Sequence, residues 1–283
     1  MWRKIKLSFG FLCLLCVLLF VLPLISHGNP PAAIDYTHRV AVLTYNTHRM
    51  GMFKKPQENA VLQYLLQQDA DIVCLQEVEV YKASCYLTLH ELKHTLAEKY
   101  PYTYFDFAVY NQRRQFGNAV FSKYPLVHKQ TIRYPSRGNI SSRCDVIVAE
   151  DTLRLITNHL ESNRLNRDDM ETIKQKYTTA HSARLEQTKC VRAEMEKSPY
   201  PLLVVGDFND LPVSTVYWNI RRWDMRDAFL STSWGRYGAT FVKGLFGVRI
   251  DYVLCSRSMH PVDCHVDRVA HSDHYPLSAT IAW

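Results

Sequence analysis

The sequence predicts an α/β layered domain. Two patterns carry this expectation: short β-branched runs that stop abruptly at polar residues, and amphipathic helical stretches lying between them. Bulk supports it, since 283 residues with 47% apolar side chains can bury a large core. No internal repeat or low-complexity tract interrupts the chain. The expected organisation is therefore a leader over residues 1–28, a short linker over 29–37 and one domain over 38–283.

The leader stands apart from the rest. "MWRKIK" carries Arg3, Lys4 and Lys6, and the next charged residue is Asp35. The intervening apolar stretch, centred on residues 7–25, is long enough to span a bilayer as a helix, which takes about 20 residues. A basic start before an apolar run is also the pattern of a secretory signal, with Ser26 and Gly28 as the small residues of a cleavage site. Signal peptide and membrane anchor both remain open. Both put the domain outside the cytoplasm, as periplasmic, secreted or membrane-attached protein.

The formal charge of +7 falls to +4 when the three leader cations are set aside. A mildly basic domain suits a phosphate-bearing substrate and excludes a protein that coats nucleic acid by charge alone.

In chain order, "RVAVLTYN" (39–46) reads as a strand stopping at Asn46. "DIVCLQE" (71–77) is a second, ending at Gln76–Glu77, and within it Cys74 reads as a buried thiol. "TLRLITNHLE" (152–161), "PLLVVGDFND" (201–210) and "GVRIDYVL" (247–254) follow, carrying Asn158–His159, Asp207 with Asn209, and Asp251. "HSDHYPLSATI" (271–281) sets Asp273 between His271 and His274 ahead of a strand-like tail. Helical spacing appears over 56–70 and 86–100, and a long helix-prone stretch runs from Arg167 to Lys197, weakened at "YTTAHS". Two segments read as exposed loops, each by itself an ordinary surface loop and together able to frame a cleft: 110–126, with Arg113 and Arg114 before a Gly–Asn turn, and the glycine-rich 231–247, with Trp234, Tyr237, Phe241 and Phe246. No C-x-x-C pair occurs among the six cysteines beyond the leader, which argues against a zinc ribbon.

Each polar strand end has an ordinary reading of its own: a solvated Glu, an Asp–Asn turn, a structural His. Jointly they supply acids, amides and histidines without cysteine, a set that suits a hard divalent cation and a phosphate.

The pieces "TYN" (44–46), "LQE" (75–77), "GNAVFSKYP" (117–125), "NHLES" (158–162), "GDFND" (206–210), "RIDYVL" (249–254) and "SDHYPL" (272–277) resemble, in order, the endonuclease/exonuclease/phosphatase superfamily of deoxyribonuclease I-like metal-dependent phosphodiesterases. The resemblance implies a four-layer sandwich of two mixed β-sheets flanked by helices. It implies Mg²⁺ or Mn²⁺ as cofactor, with Glu77 as principal ligand and Asn46 and Asp273 in support. Asp207 would deprotonate the attacking water, Asn209 would hold a phosphate oxygen, and His159 would donate to a non-bridging oxygen. His274, paired with Asp251, would lie beside the scissile phosphate, while His271 reads as a polar start to the last strand. Asn118, Arg113 and Asn158 are the expected substrate-binding residues.

The expected activity is hydrolysis of phosphodiesters, with phosphomonoesters as a further possibility, by a chain acting as a monomer on nucleic acid. Sphingomyelin, other phospholipids and inositol phosphates are the alternative substrates. A catalytically inactive binding domain displayed at a membrane is the alternative class.

Overall fold

The computed structural model describes residues 25, 28, 36–51, 55–83, 85–135, 138–163, 169–222, 224–232, 235–244 and 246–283. Apart from Ile25, Gly28, Tyr36 and Thr37, the expected leader and linker lie outside the described residues, as does Trp234. No helix among the described residues is long and apolar enough to cross a membrane.

Strict alternation builds the layers. In β1 (Arg39–Asn46), Val40 and Val42 face the partner sheet, whereas Leu43 and Tyr45 face a helical layer. β2 (Ile72–Tyr81) repeats this, with Ile72 and Cys74 inward and Val73 and Leu75 outward. These two strands pair in parallel, Thr44 opposite Cys74. Between them α1 (Ala60–Gln67) buries Val61, Leu62 and Leu65 and is capped by Asn59, which accepts from Leu62 N at 3.2 Å. α2 (Leu89–Leu96) begins with a reciprocal Thr88–Glu91 capping box and buries Leu92 and Leu96 on the same sheet face.

The segment expected as an exposed loop over 110–126 is instead largely a strand. β3 (Tyr102–Tyr110) turns at Asn111 into β4 (Arg114–Ser122), whose residues 117–122 are buried. Gly117 sits mid-strand because a Cβ there would come within 2.1 Å of Asp106 O, so close approach of two strands, and not a turn, requires the glycine.

The second sheet adds β5 (Leu126–Arg133), β6 (Ile140–Val148) and β7 (Asp151–His159). α3 (Met170–Glu196) then runs unbroken through "YTTAHS", because its inner stripe of Ala180, Arg184, Gln187, Val191 and Met195 is buried and packing outweighs local propensity. β8 (Leu202–Asp207) returns parallel to β7, with α4 (Thr215–Arg221), β9 (Met225–Asp227) and α5 (Ala228–Ser231) beyond it. The glycine-rich segment folds partly into a hairpin of β10 (Phe241–Lys243) and β11 (Phe246–Val248). The run expected over 247–254 divides there, and β12 (Asp251–Ser256) starts afresh at Asp251. β13 (His260–Val266) and β14 (Leu277–Ala282) complete the first sheet.

The strand orders are β13-β14-β1-β2-β4-β3 and β5-β6-β7-β8-β12-β9. Their facing sides make one apolar core through Val42, Cys74, Leu155, Val205, Val253 and Ile281, where each fully buried side chain contributes roughly 1.5–3 kcal/mol. The outer face of the second sheet packs Ile156, Val204 and Leu254 against Val191 of α3 and Ile220 of α4. Helix, sheet, sheet, helix is thus the observed layering, two mixed six-stranded sheets as expected. The six described cysteines are free thiols, and Cys74 is buried, with burial raising its pKa well above that of an ordinary thiol.

Candidate active site

The two parallel pairs, β1–β2 and β7–β8, end at the same rim of the sandwich. Asn46 lies opposite Gln76 in one sheet, and His159 opposite Asp207 in the other. Asp251, the first residue of β12, lies opposite Asp207. Three strands from one sheet and two from the other therefore deliver polar side chains to one place. Just beneath, the core turns polar: Gln76 Nε2 donates to Thr157 Oγ1 across the sheets at 3.1 Å and to Thr44 Oγ1 at 3.2 Å.

Backbone strain aims the groups above it. The β2–β4 register shifts between Leu75 and Val78, and at this bulge Glu77 adopts φ 53°. Such a conformation costs a non-glycine residue roughly 1–2 kcal/mol, and bulges of this kind redirect a side chain beside a functional site. Asn209 also lies at φ 51°, and His48, Arg49 and Met50 share the left-handed region. The strand ends at Asp207, and this left-handed turn brings Asn209 back onto Asp207. Gly206, at φ 117°, lets β8 approach β7: a Cβ would stand 2.2 Å from Asn158 O.

These groups form a continuous polar chain. His274 Nδ1 is 2.9 Å from Asp251 Oδ2, and His274 Nε2 is 3.8 Å from Asp207 Oδ2. Asn46 Nδ2 donates to Asp207 Oδ2 at 2.9 Å and reaches Glu77 Oε1 at 3.4 Å. His159 Nε2 stands 3.6 Å from Glu77 Oε1. Asn209 donates to Asp207 through its backbone N–H at 2.7 Å and through Nδ2 at 3.1 Å. On the far side, Asp273 Oδ1 meets His48 Nδ1 at 3.2 Å, and Ser272 Oγ ties the loop to Asn46 O at 2.8 Å.

Burial shapes the electrostatics. Desolvation and the neighbouring Asp251 carboxylate push Asp207 up to about 7, against the lowering pull of His274. Desolvation by itself would lower His274, but Asp251 and then Asp207 outweigh it and raise the imidazole to about 10. The acidic groups on either side thus favour the protonated form of His274.

Two sets of ligand atoms compete as a cation site. Asp207, Asp251 and His274 offer atoms within 4.8 Å of one another. In that set the geometry pairs His274 Nδ1 with Asp251 at 2.9 Å and its surroundings favour the protonated ring, so a metal there would have to displace a proton. Glu77, Asn46 and Asp273 are oxygen-bearing side chains lining the open cleft, and Glu77 is held out by a strained bulge. A hard cation that retains waters fits the second set better.

The cleft has a volume of about 1030 Å³. Asn46, Glu77, His159, Asp207, Asn209, Asp273 and His274 all line it, with Asp251 buried behind His274. The three expected substrate-binding residues are placed elsewhere. Asn118 is buried, donating to Ile140 O at 3.1 Å and Ser142 Oγ at 3.2 Å. Asn158 is buried, accepting from Ser141 Oγ at 2.6 Å and donating to Val205 O at 2.9 Å. Arg113 is exposed at the β3–β4 turn, and its neighbour Arg114, ion-paired with Glu79, lines the cleft instead. His271 is exposed.

Several lining residues gave no sequence signal. Arg49, Phe116, Asn139, Asn163, Tyr177 and Lys243 come from elements far apart in the chain, and each is of a type common on any surface. Thr240 was equally silent: its Oγ1 accepts from the backbone N–H groups of Ile250 and Asp251 at 3.1 Å, locking the start of β12.

Comparison with known proteins bears on the fold and the family. No curated protein matches the sequence significantly. Among solved structures, an endonuclease/exonuclease/phosphatase from Beutenbergia cavernae is similar at TM-score 0.65 and 18% identity, covering 86% of this chain and 71% of that one. Truncated Caenorhabditis elegans TDP2 is similar at TM-score 0.63 and 18% identity, covering 88% and 99%. Sphingomyelinase C from Streptomyces griseocarneus is similar at TM-score 0.59 and 18% identity, covering 86% and 99%. At these identities the likeness shows a shared fold. The sequence model of the Endonuclease/Exonuclease/phosphatase family matches residues 43–274, from within β1 to His274, and the chain belongs to that family.

Proposed function

We propose that this chain is a divalent-metal-dependent phosphodiesterase, nuclease-like, acting outside the cytoplasm with water as the nucleophile. One observation carries the proposal: the unbroken run Asp251–His274–Asp207–Asn46–Glu77–His159, each side chain within 4 Å of the next. It sets a general base, a cation and hydrogen-bond donors around one cleft. Asp207, oriented by Asn46 and Asn209, takes the proton of the attacking water. His274, held by Asp251, and His159 face the non-bridging oxygens as negative charge grows on them. Glu77, with Asn46 and Asp273, would hold Mg²⁺ or Mn²⁺, which supplies Lewis-acid stabilisation when bound. A cleft of about 1030 Å³ has room for groups on both sides of a phosphate, which favours diesters. The basic, then apolar, leader sequence supports action outside the cytoplasm.

The test is turnover by the purified full-length chain of bis-p-nitrophenyl phosphate, single- and double-stranded DNA, RNA, sphingomyelin and inositol phosphates, with Mg²⁺ or Mn²⁺. Diester hydrolysis abolished by EDTA is expected, and Asp207→Asn should reduce it by about 10²–10⁴-fold. Failure to turn over any phosphoester would instead favour a binding domain, and strong monoesterase activity alone would overturn the diester preference.

A further inference from the structure

Beyond the polar chain at the strand ends, the cleft wall beside α3 is built around one fully buried cation. Arg184 has no exposed surface. Its Nε donates to Asp210 Oδ2 at 2.9 Å, and its Nη1 donates to Glu161 O at 2.8 Å and to Asn163 Oδ1 at 2.9 Å. Tyr177 covers the guanidinium at 5.9 Å and stacks on His181 at the same centroid distance. One turn further along α3, Gln187 Oε1 accepts from Glu161 N at 2.8 Å. Two residues of one helix thus clasp the loop that leaves His159.

The two acidic or amide residues on this wall are oriented differently. Asp210 lines the cleft, yet its Oδ2 is shared by Arg184 and His181 and its Oδ1 accepts from Leu211 N at 2.9 Å. Its acceptor capacity is spent on holding the wall. Asn163 also lines the cleft, and here chemistry settles which way its amide points. A guanidinium has donors only, so the atom facing Arg184 must be the carbonyl oxygen. Asn163 Nδ2 therefore faces away from Arg184, on a side chain that lines the cleft.

We propose that Asn163 is a substrate-binding residue that donates its amide hydrogens to an anionic phosphoester oxygen, and that Arg184 is the positioning residue that presents it. The inference rests on the phosphodiesterase reading and adds a contact for the phosphate or its leaving-group oxygen on the α3 side. Arg184 is suited to this task because its planar fork holds three partners in one geometry, which an ammonium cannot.

The decisive comparison is between Asn163→Ala and Asn163→Asp, in steady-state hydrolysis of bis-p-nitrophenyl phosphate and in inhibition by inorganic phosphate. Aspartate keeps the oxygen that Arg184 binds but replaces the donor with a negative oxygen facing the substrate. Asn163→Ala should raise KM and the phosphate inhibition constant about tenfold, with kcat changed little. Asn163→Asp should be worse, by about a hundredfold, while melting no lower than the wild type. A residue that only holds the loop would give the opposite order, aspartate near wild type and alanine impaired, and that order would overturn the proposal. Arg184→Lys should raise KM as Asn163→Ala does, with the double variant no worse than either; additive effects would remove Arg184 from the role. Absence of wild-type turnover would sink the phosphodiesterase reading and this inference together, whereas active wild type with an equally active Asn163→Asp would sink this inference alone.

Discussion

Removing the Asp251 carboxylate tests whether His274 and Asp251 act as one unit. Asp251 is 1% exposed, and its Oδ2 lies 2.9 Å from His274 Nδ1. Arg249, two residues before Asp251, is bonded to Asp227 at 2.8 and 3.1 Å. Asp251→Asn keeps the shape but removes the largest of the carboxylate charges that raise His274, those of Asp251, Asp207 and Asp273. Taking one partner from a buried ion pair costs about 3–5 kcal/mol. If half or more of that falls on the transition state, kcat/KM drops by roughly 10²-fold, at 1.36 kcal/mol per decade. His274→Ala should cost at least as much, and the double variant should be scarcely worse than the poorer single one. The assay is kcat/KM for bis-p-nitrophenyl phosphate at saturating Mg²⁺, with melting temperature followed in parallel. Fully additive losses, or a fall in melting temperature without loss of turnover in Asp251→Asn, would refute the pairing.

Glu77→Gln should weaken Mg²⁺ binding at least tenfold by titration calorimetry while leaving the melting temperature nearly unchanged; unaltered affinity would move the metal elsewhere. Gly206→Ala should lose about 3 kcal/mol of unfolding free energy in urea, because β7 cannot withdraw Asn158 O from the new Cβ at 2.2 Å. Glu91 has its pKa lowered to about 2 by Lys55 and the Thr88 capping bonds, so its contribution is full above the unfolded value of 4.5 and is lost as pH falls towards 2. Since the pair is about a third exposed, Glu91→Gln should cost no more than about 1 kcal/mol at pH 7 and only a small part of that at pH 2, measured by denaturation at both.

The strands that carry the chemistry were legible because each is buried on both faces and reaches a polar group: the expected 39–46 matches β1, and β7 and β8 lie within a few residues of their expected bounds, whereas β2 does not stop at Glu77 but runs on through the bulge to Tyr81. β4 was not legible. Its Gly117–Asn118 pair reads locally as a turn, and only the approach of Asp106 O explains the glycine. β5 and β13, the outer strands of their sheets, have exposed or mixed faces that dilute alternation, and β6 is buried yet carries Ser141, Ser142 and Asp145 inside, which breaks its apolar run. Asn118 and Asn158 show the limit for side chains. Each stands beside matched motif residues, but the pleat sends neighbouring side chains to opposite faces, and both asparagines bond inward.

By itself the sequence determined the layered class, the order of the strands that carry Asn46, Glu77, His159 and Asp207, and the resemblance that joined those residues into one expected site. Local pattern suffices there, because burial period and strand-end polarity are properties of adjacent residues. The tertiary structure decided the rest: that a bulge at Glu77 turns a carboxylate outward, that Asn209 returns to Asp207 through a left-handed turn, and that Arg184, 26 residues before Asp210 in sequence, sets the orientation of Asn163. Those facts depend on distances between residues far apart in the chain, and contact across a packed core leaves no periodic trace in the segments that make it.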